Sequence, residues 1–202
     1  MRIIGGALGG RLFRGPPPSA TRPTADRVRE AIASALAARS AIDGARVLDL
    51  YAGTGAFAFE ALSRGADRAV CVERDKRVAA AIETSATELG LRARVEVIVG
   101  ALGVLPRGSS ALEQRLRRAA GTDAFDLVFA DPPYADIDDV PPLLQRLAAL
   151  GVIARGALVV LEHATKQPPK SATFLATEAA YRYGDTAVLF ARITADTEAP
   201  PP

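Results

Sequence analysis

Short apolar runs alternate with longer helical patterns along most of this chain. The runs are rich in Val, Leu and Ile, as in strands of a parallel sheet that is buried on both faces. In the segments between them, apolar residues recur at steps of three and four, which indicates one apolar face of an α-helix. This order predicts an α/β fold in which a mainly parallel sheet carries helices on both faces.

The pattern predicts seven strands, at residues 46–50, 68–72, 95–99, 125–130, 157–162, 181–184 and 186–193. It predicts five helices, at residues 25–39, 57–64, 76–89, 109–121 and 140–150. In the first helix, Val28, Ile32 and Leu36 share one face. This spacing is typical of one apolar face of a helix.

The two ends of the chain differ from this body. Residues 2–14 hold two short apolar stretches around a glycine-rich turn, which predicts a hairpin. Residues 196–202 hold nothing to bury, which predicts a disordered tail. The expected organisation is an N-terminal β-hairpin extension at 1–24 that contacts RNA, one domain at 25–195, and the tail at 196–202.

The charge of the chain is unevenly distributed. Of 202 residues, 49% are hydrophobic and 24% charged, as in a soluble globular protein, and the net charge is +2. Residues 1–30 carry six Arg against Asp26 and Glu30, which is +4; the other residues carry 25 − 6 = 19 basic and 23 − 2 = 21 acidic side chains, which is −2. A basic N-terminal part on a near-neutral body indicates a nucleic-acid partner.

Several classes of protein are not expected. The sequence contains no run of eighteen apolar residues, so no membrane span is expected. The first residues lack the apolar stretch of a secretory signal. The single cysteine, Cys71, cannot form an internal disulfide, and with the single histidine, His163, it cannot build a Cys/His zinc site. We expect a cytoplasmic, monomeric protein without a metal.

A glycine loop follows the first predicted strand, with the sequence DLYAGTG over residues 49–55. Glycines in a strand-to-helix turn let the backbone approach a ligand and leave helix N–H groups to donate to it. Glu73 ends the second strand, where a carboxylate can accept hydrogen bonds from both hydroxyls of a ribose. The pattern predicts a cofactor that contains a nucleoside. Because Gly53, Gly55 and Ala58 satisfy the dinucleotide fingerprint, NAD is one candidate.

The other candidate is S-adenosylmethionine. The D-x-x-x-G-x-G order of residues 49–55 resembles the loop of methyltransferases that use this cofactor, in which an Asp suits the ammonium of the methionine part. The fourth strand ends in Asp131-Pro132-Pro133-Tyr134, which resembles the (Asn/Asp)-Pro-Pro-(Tyr/Phe) signature of methyltransferases that modify exocyclic or amide nitrogens. A nicotinamide enzyme has no use for this tetrapeptide, so it favours S-adenosylmethionine.

The residue types of this second motif suit its chemistry. The lone pair of an exocyclic base amine is delocalised into the ring, which makes the amine a poor nucleophile. The Asp131 carboxylate and the Pro132 carbonyl can accept its two N–H groups, and consecutive prolines hold that carbonyl rigidly. Tyr134 offers a ring on which an extruded base can stack.

Longer stretches resemble the bacterial RsmD family, which methylates guanine N2 in small-subunit ribosomal RNA. The likeness runs from Met1 to about Ile193 and is carried by Arg2–Gly6 (RIIGG), Arg22–Glu30 (RPTADRVRE), Asp49–Glu60 (DLYAGTGAFAFE), Asp131–Tyr134 (DPPY) and Tyr183–Thr186 (YGDT). It implies a Rossmann-like S-adenosylmethionine-dependent methyltransferase fold that acts on 16S ribosomal RNA or the small ribosomal subunit.

The resemblance also implies a role for each matching residue. The catalytic residues would be Asp131, Pro132, Pro133 and Tyr134. The cofactor-binding residues would be Asp49, Tyr51, Gly53, Thr54, Gly55, Glu60, Glu73, Arg74 and Ala101. The RNA-binding residues would be Arg2, Arg11, Arg14, Arg22, Thr24 and Arg27. At Gly100-Ala101 the chain lacks the polar residue with which relatives often contact adenine, so a backbone group near Ala101 would have to replace it.

Three alternatives stay open at this point. The nearest is a methyltransferase of adenine N6 in DNA or RNA, because the Asp-Pro-Pro-Tyr signature does not identify the base. The more distant ones are an NAD-dependent oxidoreductase and a non-catalytic assembly factor that binds ribosomal RNA.

Overall fold

The computed structural model describes residues 1–15, 23–103 and 111–194, with residues 23–26 described by their backbone alone. The chain carries helices and a mixed seven-stranded sheet, and it divides into two compact units, Met1–Gly100 and Ala101–Pro202. The predicted tail at 196–202 lies outside the described residues. Within the described ranges, no helix is long and apolar enough to cross a membrane.

The first unit alternates helices and strands. Its elements are α1 (Pro23–Ala38), β1 (Arg46–Leu50), α2 (Ala56–Ser63), β2 (Arg68–Glu73), α3 (Lys76–Glu88) and β3 (Val95–Val99). The three strands are parallel, in the order β3-β2-β1, with Leu50 opposite Val72 and Glu73 opposite Val99. Because they run in one direction, the glycine loop after β1 and Glu73 at the end of β2 lie at the same edge.

Local sequence explains where these helices begin and which face they bury. The Asp75 carboxylate caps α3 by accepting the N–H groups of Arg77 at 2.7 Å and Val78 at 3.3 Å, which hold the pKa of Asp75 below its usual range. Along α1, the predicted apolar face is confirmed, since Val28, Ile32 and Leu36 are all buried.

The N-terminal segment, residues 1–15, packs against the helices of the first unit. Its predicted hairpin is present as a single antiparallel bridge between Arg2 and Leu12 around a short 3-10 helix at Gly6–Leu8. Ile3 and Phe13 are buried, and the Phe13 ring meets that of Phe59 edge-on at 5.2 Å. Because its apolar side chains join the core, the segment is an integral part of this unit.

The second unit consists of α4 (Ala111–Ala120), β4 (Phe125–Ala130), α5 (Val140–Ala149), β5 (Ile153–Ala164), β6 (Leu175–Tyr183) and β7 (Thr186–Ile193). The strand order is β4-β5-β7-β6; β5 is parallel to β4, and β7 is antiparallel to both its neighbours. Strand β6 is longer than predicted because it lies at the edge of the sheet, where most of its side chains are exposed and no apolar run marks it.

Candidate functional site

The glycine loop, residues 51–55, turns sharply between β1 and α2. Tyr51, Gly53 and Gly55 have φ angles of 61°, 53° and 73°, in the left-handed region. A Cβ at Gly55 would lie 3.1 Å from a methyl group of Ile82 and 3.2 Å from the Phe59 ring, so the turn packs closely on its own core. Left-handed backbone at a non-glycine residue such as Tyr51 is strained, and strain of this kind clusters at binding sites.

Glu73 fastens this loop to the end of β2. One carboxylate oxygen accepts the Gly53 N–H at 2.9 Å, and the other accepts the Asp75 N–H at 2.8 Å. Glu73 is half-buried, so its carboxylate is still reached by solvent. Each carboxylate oxygen retains acceptor capacity beyond these bonds, which fits the two hydroxyls of a ribose. The donors and acceptors of the loop therefore suit a nucleoside.

Asp49 lies inside β1, 1% exposed, and accepts the N–H of Ala58 in the first turn of α2 at 3.3 Å. A carboxylate is favoured there by the positive end of the helix dipole. Thr54 donates its hydroxyl to the Met1 sulfur at 3.3 Å, while Arg74 is exposed. The glycine loop therefore lies at the same edge of the sheet as Asp49, Glu73 and Arg74. The Gly100 N–H, just before Ala101, donates to the Glu73 carbonyl at 3.0 Å.

Glu60, which the family resemblance assigns to cofactor binding, accepts hydrogen bonds from the protein itself. It is 2% exposed and accepts the N–H groups of Ile4 at 2.7 Å and Gly5 at 3.0 Å, together with the Arg64 guanidinium at 2.6 Å. Three donors from its own chain surround this carboxylate. Glu60 therefore anchors the N-terminal segment, a role that sequence reasoning missed because Ile4 and Gly5 are more than fifty residues away along the chain.

Four of the arginines expected to bind RNA have side chains that the structure describes, and all four are exposed. Arg14 forms an exposed ion pair with Glu88 at 2.8 Å, and Arg11 donates to the Glu88 carbonyl at 3.0 Å. Arg2 and Arg27 are exposed. Arg22 lies outside the described residues, and Thr24 is described by its backbone alone. Because an exposed ion pair is screened by water and contributes little, the contact with Glu88 leaves Arg14 available to phosphate. Arg11 is likewise exposed.

The proline motif, Asp131–Tyr134, follows β4 directly. Pro132 is buried, and the Pro133 carbonyl accepts the Asp136 N–H at 2.8 Å at the start of a 3-10 helix, Tyr134–Asp139. Gln167 donates its side-chain N–H to the Tyr134 carbonyl at 3.2 Å, yet Tyr134 is 60% exposed. The motif thus presents an open aromatic ring from a fixed backbone.

Two carboxyl groups, those of Asp131 and Glu162, lie at this end of β4 and β5. The protein around Asp131, which keeps an exposed surface, desolvates its carboxylate and raises its pKa to about 6. Partial burial, and then the negative charge of Asp131, raise the pKa of Glu162 in β5 to about 7. Sequence analysis missed Glu162. The signal was available in hindsight, because Glu162, like Glu73, is an acidic residue in the carboxyl-terminal half of a buried strand.

Among the described residues, no group of three or more His, Cys, Asp or Glu side chains is arranged to hold a metal ion. The described residues offer hydrogen-bond acceptors, an exposed aromatic ring and a strained glycine loop.

Comparison with solved structures identifies the class. A protein described as "Putative methyltransferase yhhF from Escherichia coli" superposes with a TM-score of 0.76 at 28% identity, covering 97% of this chain and 99% of that one. An RNA methyltransferase from Salinibacter ruber in complex with S-adenosyl-L-homocysteine shares the fold, with a TM-score of 0.60 at 16% identity, covering 85% of this chain and 95% of that one. The predicted Rossmann-like, S-adenosylmethionine-dependent methyltransferase fold is thus confirmed, and the NAD interpretation is set aside.

The family follows from the sequence comparisons. The model of the family "Conserved hypothetical protein 95" matches residues 1–192. The "Putative rRNA methyltransferase YlbH" of Bacillus subtilis is 31% identical over 163 residues, 81% of this chain and 82% of that one. The "Ribosomal RNA small subunit methyltransferase D" of Escherichia coli is 39% identical over 135 residues, 66% of this chain and 60% of that one. The chain belongs to this family, the RsmD family of S-adenosylmethionine-dependent rRNA methyltransferases.

Proposed function

We propose that this chain transfers a methyl group to the exocyclic N2 amine of a guanine in 16S ribosomal RNA. The proposed substrate is the small ribosomal subunit or an assembly intermediate, and the proposed active form is a monomer. The observation that supports this proposal most directly is that the proline motif presents both a carboxylate, at Asp131, and an exposed aromatic ring, at Tyr134. The name of the Escherichia coli relative supports the small-subunit RNA, and the family resemblance supports guanine N2.

In this proposal the first unit holds the cofactor. The glycine loop approaches the ligand with its backbone, Glu73 accepts the ribose hydroxyls, and Asp49 balances the positive charge of the methionine part. Tyr51, Thr54, Gly53, Gly55, Arg74 and a backbone group near Ala101 complete the set. When bound, S-adenosylmethionine supplies a methyl carbon activated by its positive sulfur, which leaves as a neutral thioether when the N–C bond forms.

The proline motif prepares the amine. Asp131 and the Pro132 carbonyl accept its two N–H groups, which localises the lone pair on nitrogen, while Tyr134 stacks on the base. Methylation leaves the nitrogen with one proton in excess. Because desolvation raises the pKa of Asp131 to about 6, this carboxylate is a better proton acceptor than an ordinary aspartate and is still largely ionised at pH 7.5.

The N-terminal segment brings RNA to this chemistry. We assign phosphate contacts to Arg2, Arg11, Arg14, Arg22 and Arg27, with Thr24 beside them. The support is the charge of +4 on residues 1–30 and the exposure of Arg2, Arg11, Arg14 and Arg27. Such contacts are sequence-independent and screened by salt. They therefore contribute affinity and do not choose the base.

The decisive experiment labels the product. The protein is incubated with S-adenosylmethionine carrying a labelled methyl group and with small subunits from cells that lack the modification, and the RNA is digested to nucleosides. We expect label in N2-methylguanosine. Label in N6-methyladenosine would replace the proposal with an adenine methyltransferase. Absence of label from RNA, with cofactor bound, would replace it with a non-catalytic assembly factor.

A further inference from the structure

Strand register places Glu162 beside the proline motif. In the parallel pairing of β4 with β5, Ala130 lies opposite Leu161. Asp131 and Glu162 are each one residue further along, and neighbouring strands lie only about 4.8 Å apart. Because side chains alternate between the two faces of a sheet, residues at matched positions extend from the same face. The electrostatic effect of Asp131 on Glu162 agrees with this placement.

Asp131 and Glu162 also differ from other carboxylates of the protein in their hydrogen bonding. Across the described side chains, no hydrogen-bond donor or cation pairs with Asp131 or Glu162. A structural carboxylate in the same unit does have a cationic partner: Glu113, which is fully buried, pairs with the Arg146 guanidinium at 3.0 Å. A partly desolvated carboxylate without a donor is unfavourable, and such groups concentrate at functional sites. The missing donors are therefore expected from a ligand.

The surroundings indicate a planar base as that ligand. Tyr134, three residues after Asp131, presents an exposed ring, and Gln167, five residues after Glu162, holds the Tyr134 backbone. Two strand ends therefore present two acceptors and one stacking surface together. This combination suits a base whose edge carries adjacent donors.

Guanine is the base with that edge. Its 2-amino group and its ring N1–H are neighbouring donors, whereas adenine N1 and cytosine N3 are acceptors. We propose that Glu162 selects guanine by accepting the ring N1–H of the base whose 2-amino group bonds to Asp131, an inference that rests on the proposed function. An ionised Glu162 repels the N1 lone pair of adenine, so the same contact rejects the nearest competing base.

The test uses a base that differs from guanine at this contact. The guanine mapped by the labelling experiment is replaced by 2-aminopurine, which keeps the 2-amino group but has a lone pair at N1 and lacks O6. We expect the wild type to prefer guanine by about 10- to 100-fold in kcat/KM, because with 2-aminopurine a partly buried acceptor is left without its donor. Glu162→Gln, whose amide can also donate to a ring nitrogen, should reduce this preference to within about 3-fold.

Two further variants complete the test. Glu178→Gln makes the same chemical change in β6, where Glu178 pairs with Arg192, and should keep the wild-type preference. Glu162→Asp retains the charge but withdraws it by one methylene, so an intermediate preference is expected even if Glu162→Gln does not fold. An unchanged preference in a folded Glu162 variant that still methylates guanine would overturn the inference. Failure of the wild type to methylate guanine would instead overturn the proposed function.

Discussion

Glu73 and Asp131 both lie at the carboxyl end of a buried parallel strand, but among the described residues Glu73 has hydrogen-bond donors and Asp131 has none. Gly53 and Asp75 donate their backbone N–H groups to the two Glu73 oxygens. Asp131 and its neighbour Glu162 have no such donors among the described residues, and both have raised pKa values. The glycine loop is therefore organised before any ligand binds, whereas the acceptors of the proline motif are left for the substrate to satisfy.

This difference separates two requirements of a methyltransferase. A cofactor site gains affinity when its loop is already ordered, because little conformational entropy is then lost on binding. A site that must activate a weak nucleophile gains from acceptors that bond only to the substrate, even at some cost in stability. The comparison predicts opposite consequences for carboxylates of the two kinds.

The largest effect is expected at the proline motif. Asp131→Ala removes the acceptor and proton sink for the amine, so methyl transfer should fall by about 10³-fold or more. Affinity for S-adenosylhomocysteine, measured by calorimetry, should stay within a few-fold of the wild type. Asp138→Ala is the matched control, because Asp138 forms an exposed ion pair with Lys170 in the same unit, and it should retain transfer. Loss of cofactor binding with residual transfer would show that Asp131 belongs to the other site.

The next effect is expected at the glycine loop. Glu73→Gln removes the charge and leaves one amide oxygen for the two backbone donors, so the loop is loosened and a ribose acceptor weakened. We expect cofactor affinity to fall by about 10- to 100-fold, with transfer largely restored at saturating cofactor. Glu96→Gln in β3, where Glu96 pairs with Arg68 on the surface, is the control and should bind normally. Equal affinities in both variants would remove the distinction between the two regions.

A smaller effect concerns stability of the N-terminal segment. Glu60→Gln weakens the buried contacts to Ile4, Gly5 and Arg64, and one donor then faces an amide N–H. The free energy of unfolding should fall by about 2 kcal/mol, seen as a lower Tm. Residues 1–15 should also exchange their amide hydrogens faster. An unchanged Tm together with a large loss of cofactor affinity would return Glu60 to the cofactor set.

The smallest expected effect is a gain in stability, whereas the other variants are expected to lose activity, affinity or stability. The folded-state pKa of Glu162, about 7, exceeds its ordinary value of 4.5, so the folded protein binds this proton more tightly than the unfolded chain does. Stability is then lost as pH rises between about 4.5 and 7. Glu162→Gln removes that loss, so its Tm should exceed the wild type by about 3 °C at pH 8 and by less at pH 5. A lower Tm at pH 8 would mean that Glu162 has a structural donor.

Much of the fold was predictable because buried parallel strands carry continuous apolar runs. The bounds of β1, β3, β4 and β7 agree with the predicted ranges. The prediction was too short for β5 and for β6, because β5 begins with an irregular register against β4 and β6 is an exposed edge strand. A pattern of burial cannot mark a strand that is not buried.

The candidate site was likewise predictable only where it depends on residues that are close together along the chain. The glycine loop and the proline motif are local, so their residue types and spacing indicate their chemistry directly. Glu60 was assigned to the cofactor by its place in a family motif, yet its donors are Ile4 and Gly5, far away in sequence. Glu162 was not singled out, because its importance depends on which residue of β4 lies opposite.

By itself, the sequence determined the α/β class, most strand bounds, the glycine loop and the proline motif, since each depends on residues that are neighbours along the chain. Only the tertiary structure decided which carboxylates have donors. Hydrogen-bond satisfaction is a property of three-dimensional surroundings, and strand register sets those surroundings. Glu60 and Glu162 therefore differ completely: Glu60 is tied to the N-terminal segment, and Glu162 lies beside Asp131 with no donor among the described residues.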